Sequence, residues 1–251
     1  MTHTPALSAC KLTCRYPKMT APVLDGLDLS LEKGEIFGLL GPNGAGKTTT
    51  LSILSTIRKP DAGTLTILGM NPRRNLRDIR RIIGLVPQDI ALYPELTARE
   101  NLRFFGKLQG LCGHLLSLRI ETALAAVGLE SRADEPVKTF SGGMKRRANL
   151  AAGILHEPEI LFLDEPTVGI DAQSRQLIMD RIRALQARGT TVLYTTHYME
   201  EARQICSRVA IMDQGRIRVQ GTVDELLLDH PGCKDLGDLF LRLTGKTLRD
   251  G

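Results

Sequence analysis

Nine consecutive residues, Gly41-Pro42-Asn43-Gly44-Ala45-Gly46-Lys47-Thr48-Thr49, restrict the folding options of this chain more than any other stretch. They spell G-x-x-x-x-G-K-T, between an apolar run at 35–40 that reads as a short strand and residues 50–57 that read as a helix. Glycines let such a loop curl until successive N–H groups converge, and the helix start behind it adds positive potential. That combination cradles phosphate. In a loop of this kind Lys47 reaches the β- and γ-phosphates of a nucleoside triphosphate and the Thr48 hydroxyl ligates Mg²⁺.

The rest of the chain is that of an ordinary globular protein. It has 251 residues, 42% hydrophobic and 24% charged, which suits one or two domains with a real core. The net charge of +5 is mild, and its basic residues are scattered apart from Arg73-Arg74, Arg80-Arg81 and Lys145-Arg146-Arg147. Solvated helix faces account for most of them, with a weak case for anionic lipid headgroups or nucleic acid. Tryptophan is absent and aromatics are 4%, so no platform for stacking single-stranded bases, and no nucleic acid partner, is expected. The five cysteines contain no C-x-x-C pair. Cys10 and Cys14 are expected on one face of a strand, two thiols without the further ligands that zinc needs, so reduced thiols are the reading. The start, Met1 to Pro5, has neither a basic nor an apolar region, and no secretory signal is expected. No run of about 18 apolar residues exists, so any membrane role requires a second, membrane-crossing chain.

Residues 7–16 and 23–31 alternate apolar and polar side chains and read as antiparallel strands. Residues 63–69 and 82–86 read as further strands around a basic helix at 75–81. From 88 to 158 the pattern is mostly helical, with a capping-box start at Thr97-x-x-Glu100 and helical periodicity over 114–127. Strands at 160–164, 190–195, 209–212 and 216–219 and a helix at 173–187 follow, then short helices at 223–228 and 236–243. Strands alternating with helices predict an α/β fold, a mostly parallel core sheet with an antiparallel β-subdomain at the N-terminus. Ile160-Leu161-Phe162-Leu163-Asp164-Glu165 sets two carboxylates at the C-terminal end of a core strand, where ligands sit in such sheets. Asp164 would hold Mg²⁺ through water, and Glu165 would orient and deprotonate an attacking water. The same pattern also marks ordinary strand-to-loop junctions.

Phe140-Ser141-Gly142-Gly143-Met144-Lys145 leads into a helix at 142–154, and its Ser141 lies 23 residues ahead of Asp164. With this segment the chain resembles the nucleotide-binding subunits of ABC transporters, over nearly all its length. The resemblance implies a P-loop ABC ATPase domain at 1–221, a helical signature subdomain at 88–158 and a short helical tail at 222–251. It implies that Ser141, Gly142 and Gly143 bind the γ-phosphate held by a facing subunit. Gln88 matches the glutamine that contacts Mg²⁺ and the attacking water, and His197 the switch histidine on the γ-phosphate. Gly169-Ile170-Asp171-Ala172 looks like the D-loop, with Asp171 at the subunit interface, and Tyr16 matches the aromatic that stacks on adenine. Two departures stand out: Met144 replaces the usual glutamine and Ala172 the usual proline. Neither removes a catalytic group.

The resemblance further implies a head-to-tail dimer, of identical or paralogous ATPase chains, with two ATP molecules sandwiched between them. Residues 89–97 would receive a membrane subunit, with Leu92, Tyr93 and Leu96 as groove candidates or, equally, as core of the helical segment. Thr196-His197-Tyr198-Met199-Glu200-Glu201-Ala202 and residues 239–245 look like the ABC-2 type exporter ATPases. The implied function is ATP hydrolysis powering export through a separate ABC-2 type transmembrane permease, from the cytoplasmic face of the membrane. The competing reading is a soluble ABC ATPase acting on ribosomes or DNA. One cassette, and no sustained heptads between Gln88 and Ser141, argue against it.

Overall fold

The computed structural model describes residues 4–17 and 19–245. The first residues of the N-terminal reading (1–3) and the end of the tail (246–251) lie outside them. The chain divides into two compact units, Met1–Arg80 with Thr191–Gly251, and Arg81–Thr190. The chain opens with β1 (Leu7–Cys14), β2 (Leu24–Leu31), β3 (Ile36–Leu40), α1 (Lys47–Leu54), β4 (Ala62–Ile67) and α2 (Leu76–Ile82). The second unit carries β5 (Ile83–Val86), α3 (Ala98–Leu108), α4 (Gly113–Ala126), α5 (Gly142–Ile154), β6 (Ile160–Asp164) and α6 (Ala172–Ala187). The chain returns to the first unit with β7 (Thr191–Thr196), α7 (Met199–Ile205), β8 (Arg208–Asp213), β9 (Arg216–Gly221), α8 (Val223–Leu228) and α9 (Leu236–Thr244).

In the first unit, β1 pairs antiparallel with both β2 and β4. Alternation holds for Leu7 and Ala9, then breaks: Lys11 sits at φ 50° and the register slips on both sides of it. A bulge of this kind shifts every later side chain to the other face. Cys10 is therefore exposed and Cys14 buried, so the two thiols do not share a face as their spacing suggested.

A second sheet of this unit has β3 between β7 and β8, parallel to both, and an antiparallel hairpin adds β9. Every residue of β3 and β7 is buried, as expected for strands covered on both faces. Gln214 (φ 49°) and Gly215 (φ 75°) turn the hairpin with the left-handed pair that matches strand twist. Helices α8 and α9 pack Leu226, Leu236, Leu239 and Phe240 onto Leu40, Val209 and Ile211 of this sheet. Each such buried side chain contributes about 1.5–3 kcal/mol.

In the second unit β5 and β6 pair in parallel and all of β6 is buried. Helix α3 begins with both halves of the Thr97–Glu100 capping box. Helix α5 lies against β5 at two glycines: a Cβ on Gly84 would fall 2.4 Å from the Gly153 carbonyl oxygen, and one on Gly153 2.4 Å from Val86. Helix α7 has no counterpart in the sequence reading. No side chain caps its start, whereas the similarly short α8 carries the Thr222–Glu225 capping box.

Candidate functional site

In the first unit the chain leaves β3 at Leu40, whose register partner on β7 is Thr196. Gly41 and His197 each come next, so the glycine-rich loop and the histidine leave the same end of adjacent strands. The loop lies tight on β8, since a Cβ on Gly41 would sit 2.5 Å from the Met212 carbonyl oxygen. Gly44 (φ 81°) and Gly46 (φ 107°) make its turns. Gly46 is also the N-cap of α1, and a glycine offers no side-chain acceptor to the first-turn N–H groups. The helix thus begins at Lys47, three residues earlier than its apolar pattern. Lys47 is buried, and its Nζ donates to the carbonyls of Gly41 (2.7 Å) and Pro42 (3.3 Å). These features fit a triphosphate: a glycine cradle, an uncapped helix start and an ammonium at the loop mouth.

Tyr16 stands beside this loop. Its hydroxyl is 3.2 Å from Thr49 Oγ1, and the Arg58 guanidinium carbon lies 4.2 Å from its ring centroid. The ring is pinned at its tip and on one face. His197 is half-buried and tilted against Tyr198 at 4.2 Å between ring centroids. The turn carrying it is held by a residue the sequence reading passed over. Glu201, only 3% exposed, accepts hydrogen bonds from Tyr194 Oη (2.7 Å) and Thr196 Oγ1 (3.3 Å), and Thr196 Oγ1 in turn accepts the Tyr198 N–H (2.9 Å). Its signal was present as a second glutamate in Met199-Glu200-Glu201, on the side of a short helix that turns inward.

In the second unit Val86 pairs with Leu163, so Gln88 and the Asp164-Glu165 pair leave the same end of β5 and β6. Asp164 and Glu165 are 3% and 5% exposed. Glu165 has φ 46°, a backbone that costs a non-glycine residue about 1–3 kcal/mol and gathers at functional sites. Ser141 caps α5, accepting the Met144 N–H at 3.2 Å, and is itself exposed. Asp171 caps α6 by accepting the Ser174 N–H at 2.8 Å, which holds its carboxyl below the usual range. Both caps meet at Gly143, where a Cβ would lie 2.3 Å from Ser174 Oγ and 3.1 Å from Asp171 Oδ2. Leu92 is buried, whereas Tyr93 is exposed and stacks edge-on with Phe104 at 5.1 Å.

Hard oxygen donors of the kind Mg²⁺ takes are present in each unit: the Thr48 hydroxyl in the first, the Asp164 carboxylate and the Gln88 amide in the second. Among the described residues no group of three or more His, Cys, Asp or Glu is gathered to hold a metal. Oxygen donors of this kind suit a Mg²⁺ carried mainly by substrate phosphates and water. No helix among the described residues is long and apolar enough to cross a membrane.

The family model described as "ABC transporter" matches residues 24–168. The linearmycin resistance ATP-binding protein LnrL of Bacillus subtilis is 46% identical over 95% of this chain and 74% of its own. The Nod factor export ATP-binding protein I of Ralstonia nicotianae is 45% identical over 92% and 71%. A solved dimeric ATP-binding cassette in a post-hydrolysis state, bound to ADP and Pi, superposes with a TM-score of 0.79 at 27% identity, covering 86% of this chain and 98% of the other.

Proposed function

The chain belongs to the ABC transporter family, and on that premise we propose how its residues divide the work of an ATP-hydrolysing transport subunit. Gly41 to Thr49 hold the phosphates of ATP, with Lys47 neutralising the β- and γ-phosphates, and Tyr16 stacks on the adenine. Thr48, Gln88 and Asp164 hold Mg²⁺, which draws off charge as the terminal bond breaks. Glu165 takes the proton of the attacking water, while Gln88 and His197 align that water and the γ-phosphate. Ser141, Gly142 and Gly143 close over the ATP of a facing subunit, with Asp171 at the same seam. Each ATP then joins two chains until it is cleaved.

The observation that carries this reading is Glu165. It is buried, strained into left-handed backbone, and leaves a fully buried strand at the same end as Gln88. Relatives named for linearmycin resistance and Nod factor export support a role in export. The partner would be an ABC-2 type permease, met from the cytoplasmic face, with the exposed Tyr93 on the docking side. The domain bounds follow the same reading: ATPase at 1–221, helical signature subdomain at 88–158, tail at 222–251.

Glu165→Gln tests it. We expect ATP binding to persist, phosphate release to fall by about a hundredfold or more, and an ATP-dependent dimer to appear in light scattering. Wild-type turnover in this variant removes Glu165 from the role of base. A chain that stays monomeric with saturating ATP, alone and with its permease, overturns the dimer.

A further inference from the structure

Residues 87–91, which deliver Gln88, belong to no helix or strand. Their main chain is held instead by two side chains of α5. Asn149, 3% exposed, donates through Nδ2 to the Pro87 carbonyl (3.2 Å) and accepts the Ala91 N–H on Oδ1 (3.2 Å). Arg146, half-buried and one turn earlier on the same helix face, donates through Nη1 to the Gln88 carbonyl. Its charge also acts on Asp89 and Glu165. Three backbone groups within five residues are thus tied to one helix, while the Gln88 side chain stays exposed.

The N-terminus of that helix is Ser141, about 12 Å from Asn149 at the rise of an α-helix. One rigid rod therefore carries the serine that would meet the partner's ATP and the grip on the loop that would serve this chain's own. We propose that Arg146 and Asn149 are positioning residues that bind the Gln88 main chain to the signature helix, so that engagement of a triphosphate at Ser141 sets Gln88 for hydrolysis. The inference rests on the roles of Gln88 and Ser141 given above. A buried asparagine that merely satisfied nearby backbone groups would affect stability alone. A positioning pair affects turnover, and it couples the two sites of a dimer.

The test is a double-mutant cycle on the full-length chain. Arg146→Met and Asn149→Leu each remove the bonds at similar volume. We expect kcat to fall about tenfold, KM for ATP to stay within about twofold, and the Hill coefficient to move toward one. Arg146→Lys restores part of the loss, because an ammonium still donates to the Gln88 carbonyl. Combined with Gln88→Ala, neither change slows the enzyme further, since the grip has no side chain left to place. If Asn149→Leu does not fold, Arg146→Met, at a half-buried site, carries the test. Losses that multiply in the double variants, or an unchanged kcat in Arg146→Met, overturn the proposal. Wild-type kcat in Gln88→Ala alone is a different result: the role of Gln88 then fails, and the positioning pair with it.

Discussion

Gly143→Ala reports directly on the contact between the two helix starts in the second unit. The new methyl would lie 2.3 Å from Ser174 Oγ, 2.9 Å from Ser174 Cβ and 3.1 Å from Asp171 Oδ2. The hydroxyl can rotate away, but Ser174 Cβ is fixed to the first turn of α6, where its N–H holds the Asp171 cap. Relief requires α5 and α6 to separate by roughly half an ångström or more. Overpacking of this kind costs about 1–3 kcal/mol. Alanine in a helix recovers about 1 kcal/mol over glycine, so the net destabilisation is at most about 2 kcal/mol. That is a fall in Tm of a few degrees, about 2–4 °C per kcal/mol at this size. The larger effect is on turnover, because Ser141 and Asp171 both move, and a displacement near 1 Å costs up to about a hundredfold. Phosphate release and thermal melts, measured together, separate the two effects. Ser174→Gly removes both clashing atoms and should return most of the turnover to Gly143→Ala. Wild-type turnover in Gly143→Ala, or a loss that Ser174→Gly does not relieve, refutes the steric argument.

Tyr16→Ala should raise the Kd for ATP about tenfold, as expected for loss of one base–aromatic stack, with kcat at saturation within about twofold. Tyr16→Phe, which gives up only the hydroxyl contact with Thr49, should bind nearly as well as wild type in titration calorimetry. Equal Kd for Tyr16→Ala and wild type would exclude the stack. A pH dependence follows from His156, whose Nε2 is 2.9 Å from the Ile83 carbonyl and must donate to it. Its Nδ1 is buried with no partner among the described residues, and burial pulls the imidazole below its ordinary value near 6.5. The unfolded chain therefore takes up a proton first as pH drops. The stability contributed by neutral His156 is complete above about pH 6.5 and lost as pH falls through the lower folded value. Melts between pH 7 and 5 should decline more steeply for wild type than for His156→Gln, and parallel curves would refute this.

Local signals were legible where the chemistry itself is local. The glycine-rich loop, the Thr97–Glu100 capping box and the buried strand ending in Asp164-Glu165 each depend on contacts within a few residues, and each is visible as a short pattern. Tertiary structure decided what those pieces meet. The sequence spacing of Cys10 and Cys14 implied one face, but the bulge at Lys11 separated them, because pairing with two neighbouring strands set the register. Nothing near Leu40 announces Thr196 as its neighbour, nor does Asn149 read as more than a polar residue in a helix before Pro87 and Ala91 are beside it. By itself the sequence determined which groups are available for phosphate chemistry, since residue type and φ/ψ freedom are properties of a few adjacent positions. Which groups share a strand end, and which backbone a side chain grips, was decided only on folding, because those contacts depend on faces brought together from distant parts of the chain.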